Sequence, residues 1–317
     1  MTDSIDYSTF RSNATPRQLE YIDALSAHSS QAEAARALGI NKRTLERGLK
    51  SLRERTPAPV KTAVRTPRTK NEHIWIPDTQ IRPGVPVNHI YAAANYIAER
   101  QPGTVIIGGD WWDMPSLNSY EKKGSSFFNN VSYRGDIDFA NEVMDNFLTT
   151  IRKPEGYNPR VVFVEGNHEY RIQRAVQEDP VIHEGVIGRH DFHLPDVEFH
   201  EFLNIVTIDG IMYSHYFANP QSAIRGVLGG QMDNRLNKLK ASFTQGHQQT
   251  LLWGAQDLPN GKRIIGCVAG AFYQHHEGYA GPQGQNYWRG IVYKHEVHDG
   301  EYDPMMVSMD YLIDNWS

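Results

Sequence analysis

A mixed α/β body preceded by a small all-helical head is what this sequence predicts, on three observations. Several short, β-branched runs end in glycine and then in Asp, Asn or His. Residues 1–55 show helical spacing and cap residues instead. A proline-rich, basic stretch separates the two parts.

The head reads as three short helices. Thr15-Pro16 supplies an N-cap and a proline at the first helical position, and Leu19, Ile22 and Leu25 follow at helical spacing. A second helix over residues 30–38 carries alanine at 32, 34, 35 and 37, which permits close packing. Gly39-Ile40-Asn41 makes the turn, with Gly39 suited to a left-handed stop and Asn41 to a cap. The third helix, from residue 42 to about 53, keeps Leu45, Leu49 and Leu52 on one face and Lys42, Arg43, Arg47 and Lys50 on the other. An Ala-rich helix, a Gly turn and a basic helix resemble the helix-turn-helix DNA-binding motif. That resemblance puts Lys42, Arg43 and Thr44 near the start of a recognition helix, with Arg47 and Lys50 behind them, and makes DNA the expected partner. The alternative is a helical docking or oligomerisation module with a solvated basic face.

Residues 56–72 read as a flexible basic linker, with Pro57, Pro59 and Pro67 among Lys61, Arg65, Arg68 and Lys70 and no apolar period. The net charge of −5 conceals an asymmetry: residues 1–72 carry 13 Lys/Arg against 8 Asp/Glu, and the remainder 19 against 29. A basic front end suits nucleic acid, and an acidic body suits a protein that binds cations through carboxylates. The single cysteine, Cys267, excludes a disulfide framework and fits a reducing, cytoplasmic compartment. No long uninterrupted apolar window is present, so a soluble protein without a membrane segment is expected.

Strand signals and polar rims then alternate through the body, residues 73–317. The first run is Ile74-Trp75-Ile76-Pro77-Asp78; Thr104–Ile107 leads into Gly109-Asp110-Trp111-Trp112-Asp113. Residues 161–164 lead into Gly166-Asn167-His168-Glu169, and Gly246-His247-Gln248-Gln249 comes later. Asp209-Gly210 is a hairpin signal that sets His215 at a strand end, and Asn260-Gly261 looks like a second hairpin turn. Strand ends that deliver Asp, Asn and His to one edge can assemble a polynuclear metal centre. Between Asp113 and Gly135 lies an insertion without a period, containing Tyr120, Lys122, Lys123, Phe127, Phe128, Tyr133 and Arg134. It reads as a functional rim whose aromatics suit stacking on unpaired bases, or as a plug in which Phe127 and Phe128 fill a secondary core. Residues 278–290, with Tyr279, Tyr287, Trp288 and Arg289, read as the far wall of the cleft; His275 and His276 belong to its rim or supply extra nitrogen.

Taken in order, these runs resemble the calcineurin-like metallophosphoesterases, with the pattern Asp-x-His, Gly-Asp-x-x-Asp, Gly-Asn-His-Glu/Asp, a lone His and Gly-His-x-His. The likeness covers roughly residues 74–311. It implies a two-sheet β-sandwich flanked by helices, and its overall pattern looks like enzymes of tailed phages, which would place the protein in a host cytoplasm. Two positions depart from the pattern: Gln80 and Gln249 stand where the family has histidine.

The resemblance implies two divalent ions bridged by Asp110. One would see Asp78, Gln80, Asp110 and Gln249; the other would see Asp110, Asn167, His215 and His247. Imidazole suits Zn and Fe, whereas carboxylate and carbonyl oxygens suit Mn and Mg. An asymmetric pair is therefore expected, Mn²⁺ favoured, with Mg²⁺, Fe²⁺ and Zn²⁺ as alternatives. The contrary expectation is an oxygen-rich site that is dead or fills only with substrate. By the same resemblance a metal-bridging hydroxide attacks phosphorus in line, His168 protonates the leaving oxygen, and Asp113 holds His168 charged. Arg171 either faces the phosphate with its planar fork or is a solvated helix residue. Metal-dependent cleavage of DNA phosphodiesters is the leading expectation. A phosphomonoesterase or small-nucleotide phosphodiesterase tethered to DNA is one alternative, and a catalytically disabled DNA-binding regulator is another.

Overall fold

A computed structural model describes residues 11, 14–28, 30–55, 71–122, 124–220, 226–276, 281–282 and 287–317. Most of the basic linker lies outside the described residues. The chain divides into two compact units, Met1–Pro67 and Arg68–Ser317.

The first unit holds α1 (Pro16–Ala27), α2 (Gln31–Ala37) and α3 (Lys42–Arg55). Thr15 and Gln18 cap each other's backbone amides in a capping box, and Ser30 accepts from the Glu33 amide at the start of α2. Gly39 takes the left-handed conformation after α2, and the Asn41 side chain accepts from the Arg43 amide at 2.8 Å. Tyr21, Ile22, Ala34, Ala35, Leu45, Leu49 and Leu52 are buried. Of the residues at helical spacing in α1, Ile22 is buried, whereas Leu19 and Leu25 are only half-buried. Tyr21 takes their place because α3 carries Gly48 opposite it: a Cβ there would lie 2.5 Å from the Tyr21 ring. Lys42, Arg43, Thr44, Arg47 and Lys50 are all exposed.

The second unit is a mixed α/β body of two sheets flanked by helices. One sheet runs in the order β11-β10-β1-β2-β3-β4, where β1 is His73–Ile76, β2 Thr104–Ile107, β3 Arg160–Val164, β4 Glu198–His200, β10 Gly290–His298 and β11 Glu301–Ser308. Strands β1 to β4 are mutually parallel, and β10 and β11 join antiparallel. The other runs β5-β6-β7-β9-β8, from β5 (Val206–Ile208), β6 (Ile211–Ser214), β7 (Ser242–Gln245), β8 (Leu251–Asp257) and β9 (Arg263–Ala269). Asp209-Gly210 closes the β5–β6 hairpin as expected, with both residues at positive φ.

Strand periodicity sorts the side chains into layers. Trp75, Ile106, Val162 and Val164 point inward and meet Tyr213, Ile265 and Cys267 of the other sheet. Their neighbours Ile74, Ile76, Val105, Ile107, Val161 and Phe163 point outward and pack under α4 (Asn88–Arg100), α5 (Tyr133–Ile151) and the helix Met309–Trp316. On the far face, the helix Met232–Leu239 covers Phe243, Ile264 and Val268. Tyr133 and Arg134, read as part of the insertion, form the first turn of α5, because Ser132 caps it by accepting from the Gly135 amide.

Candidate metal centre

Five strand ends converge. Asp78 follows β1, Asp110 follows β2, Asn167 follows β3, His215 follows β6 and His247 follows β7. One ligand atom each from Asp110, His215 and His247 lies within 4.8 Å of the others, the spacing that one ion could bridge. His215 Nε2 is 2.9 Å from Asn167 Oδ1 and 3.5 Å from Asp110 Oδ2. Of the residues singled out in the sequence, Gln80, Asp110, Asp113, Asn167, His168, Arg171, His247 and Gln249 line one cleft of about 860 Å³. Asp78 and His215 lie fully buried behind it.

Close approach of the loops explains the glycines. A Cβ on Gly166 would fall 2.1 Å from Asp110 Oδ1, and one on Gly246 would fall 2.4 Å from Asp78 Oδ1. Gln80, Asp110, Met114 and His247 adopt positive φ, an arrangement held only when surrounding contacts enforce it. Here the contacts are specific. The Gln80 amide donates to the Asp110 carbonyl at 2.7 Å, and the Asp113 amide donates to Ile81. The buried Glu169 carboxylate accepts the amides of Asp110, Gly166 and Trp112, each at 2.9 Å, tying the loop after β2 to the loop after β3. Burial and the Asp110 charge push the Glu169 carboxyl up to about 8, against three N–H donors that favour the anion. Trp111 and Trp112 anchor the same loop to α5 through Ala140 and Asn141.

Tautomers and charges suit a cation. His215 Nδ1 donates to the Gly108 carbonyl at 2.8 Å, so Nε2 presents a lone pair to Asn167 Oδ1 and Asp110 Oδ2. Burial lowers the pKa of both His215 and His247, the latter to about 4, which keeps each ring neutral and able to ligate. Asp78 lies well above the ordinary carboxylate range, through burial and then the Asp110 charge. Burial works against the Asp110 anion, and the His168 ring beside it outweighs that and takes Asp110 below the range. Two buried carboxylates side by side are costly without a positive charge between them.

The oxygen-rich half differs in detail from the expectation. Asp78 Oδ1 accepts the His247 amide at 3.0 Å, and Oδ2 accepts the Gln249 side-chain N–H at 2.9 Å. Gln249 therefore presents nitrogen to Asp78, and its Oε1 is buried without a hydrogen-bond partner. In this arrangement it orients Asp78.

His168 and its neighbours form a second network. Asp113 Oδ1 sits 2.7 Å from His168 Nδ1, the expected pairing. Arg171 is buried rather than solvated, and donates to the Asp113 carbonyl at 2.8 Å and toward His168 Nε2 at 3.1 Å. Burial works against charge on the His168 ring, and Asp110 and Asp113 outweigh it, raising its pKa. The Arg171 bond opposes them, since it needs a bare Nε2. The expectation of a ring held charged by Asp113 thus leaves out a guanidinium that competes with the proton. Arg82, which sequence reasoning passed over, pairs with the other Asp113 oxygen and lines the cleft.

Other expected rim residues lie elsewhere. His275, His276 and Arg289 line a separate shallow cleft beside Asp310, and Trp288 packs against the inter-sheet core. None of these joins the donor cluster, and Tyr279 and Lys123 lie outside the described residues.

No protein-family model and no curated protein matches this chain. Among the solved structures similar to this chain, one crystal structure matches at 11% identity, with a TM-score of 0.35, over 75% of this chain and all of the other. A likeness that slight carries no argument. Among the described residues, no helix is long and apolar enough to cross a membrane.

Proposed function

We propose that the body is a metal-dependent phosphoesterase of the calcineurin-like kind, and that DNA phosphodiesters are its substrates. One observation carries this reading: the Nε2 lone pair of buried His215 meets both Asp110 Oδ2 and Asn167 Oδ1, residues that line an open cleft. The donor set fits a divalent cation, since burial keeps the His215 and His247 imidazoles neutral, and burial with the neighbouring Asp110 charge holds Asp78 above its ordinary range, a cost that a cation would relieve. Asp110, Asn167, His215 and His247 would hold one ion; Asp78, Asp110 and the Gln80 side chain would hold a weaker partner, with Mn²⁺ favoured by its oxygen donors. Bound there, such ions would polarise phosphoryl oxygens and acidify the attacking water.

The chain's own groups would do the rest. Arg171 and Arg82 lie on the cleft wall where a phosphate would need cationic donors. As Arg171 turns toward the phosphate, it leaves His168 Nε2 free to hold a proton and pass it to the leaving oxygen. Asp113 fixes that ring through Nδ1. The exposed basic face of α3 supports the reading of the first unit as a DNA-binding helix-turn-helix.

The test uses the full chain with Mn²⁺ against bis(4-nitrophenyl) phosphate, 4-nitrophenyl phosphate, and single- and double-stranded DNA. Diester and DNA cleavage lost in Asp110→Ala is the expected result. Turnover of the monoester alone would overturn the diester assignment, and DNA binding without any turnover would overturn the enzyme.

A further inference from the structure

The cleft that holds the candidate metal donors is also lined by two partly or largely exposed aromatic rings. Tyr120 is 88% exposed and Phe127 41% exposed, and both line the donor cleft. Phe127 and Phe128 meet edge-on at 5.0 Å, and among the described residues neither belongs to a hydrophobic core, which speaks against the plug reading. The segment bearing them is anchored upstream. Pro115 is buried, the Ser116 amide donates to Asp136 at 3.0 Å, and Asn118 Oδ1 accepts the Tyr120 amide at 2.8 Å. Downstream, Ser132 caps α5.

We infer that Tyr120 and Phe127 form a stacking wall for an unpaired nucleobase next to the scissile phosphate; this rests on the phosphoesterase reading. Large rings left in water at a cleft mouth gain free energy only when a ligand covers them, and a flat, apolar face matches them best. Asn118 and Glu121 on the same wall offer an amide and a carboxylate, groups that hydrogen-bond the edge of a base. Arg82 and Arg171 supply cationic donors for the phosphate on that base's backbone. A base within a duplex has both faces covered by its neighbours, so only an unpaired base can lie on these rings. The floor agrees with this: Asp110 is 2% exposed, so phosphorus reaches it only if the strand enters the cleft. The same chemistry is offered by a single strand and by a free nucleotide.

The experiment uses the full chain with Mn²⁺ and two fluorescent probes, a 2-aminopurine trinucleotide and 2-aminopurine riboside 5′-phosphate, whose emission is quenched on stacking. In parallel, cleavage rates are compared for a single-stranded oligonucleotide, its duplex and an abasic strand with the same backbone. The expected results are quenching by the native chain that is lost in the Tyr120→Ala/Phe127→Ala double variant, and a preference for the base-bearing strand over the abasic one. That preference falls roughly ten-fold in Tyr120→Ala and returns in Tyr120→Phe. Quenching of the trinucleotide alone assigns a strand, and equal quenching of both probes assigns a free nucleotide; either supports the wall. Duplex cleaved as fast as single strand, or quenching unchanged in the double variant, overturns it. Quenching without cleavage of any ester overturns the phosphoesterase reading and leaves the stacking wall standing.

Discussion

His215 Nδ1 donates to the Gly108 carbonyl at 2.8 Å, and that bond decides which ring nitrogen is left to meet a cation. Nε2 then faces two oxygens, of Asn167 and Asp110, within 3.5 Å. Three electron-rich atoms gathered at the floor of the cleft, two of them on buried side chains, are favoured when something positive sits among them.

Metal binding should therefore stabilise the fold. Full chain stripped by chelator and titrated with Mn²⁺ is expected to gain about 3 kcal/mol at a hundred-fold excess over its Kd, seen as a rise in Tm. His215→Ala is expected to lose most of that gain. An equal rise in His215→Ala and the native chain would place the ion elsewhere.

Gly166→Ala tests the packing of the metal loops. The new methyl would sit 2.1 Å from Asp110 Oδ1 and 2.3 Å from the Asp110 amide nitrogen, so the carboxylate must move. Loss of the Mn²⁺-induced Tm rise, with a destabilisation of about 1–3 kcal/mol, is the expected outcome. Native metal affinity in this variant would show that Asp110 is not held as described.

His168→Ala separates proton delivery from metal binding. Turnover of alkyl phosphodiesters is expected to fall about 10²–10⁴-fold, and that of aryl diesters far less, because a good leaving group departs without a proton. Equal losses on both would remove His168 as the acid.

Between the sheets lies an independent test of the fold. Lys294 is fully buried, with its ammonium against Tyr213 and Thr244 and over the rings of Tyr213 and Tyr302. Burial lowers its pKa from 10.5 to about 7. Below pH 7 the group is charged in both folded and unfolded chains. Between about 7 and 10.5 the unfolded chain binds more protons, so stability rises with pH. Buried Cys267, raised to about 11, pulls the other way above pH 9, as its thiol ionises first in the unfolded chain. Unfolding free energy is thus expected to rise by a few kcal/mol from pH 7 to pH 9 relative to Lys294→Met. Parallel pH profiles for the two chains would mean that Lys294 stays charged inside the fold.

The convergence of the strand-end residues was legible because polar side chains placed directly after buried strands gather at one edge of the sheets. Asp110, Asn167, His215 and His247 needed only that rule. The partners that fix them were harder to read. Glu169 stands within a recognised run, but its role is to hold amides of Asp110 and Trp112, distant in sequence. Arg82 finds Asp113 the same way. The hairpin of β10 and β11 was passed over although Asp299-Gly300, both at positive φ, marks its turn. Gly48 in α3 has no local reason in the sequence; its reason is the Tyr21 ring packed against it, from a different helix.

Anomalous diffraction from crystals of the full chain grown with Mn²⁺ bears most directly on the central claim. The account expects a peak within bonding distance of Asp110, Asn167, His215 and His247, and a weaker one between Asp78 and Asp110. A fully ordered cleft with no density among those side chains at saturating Mn²⁺ would contradict it.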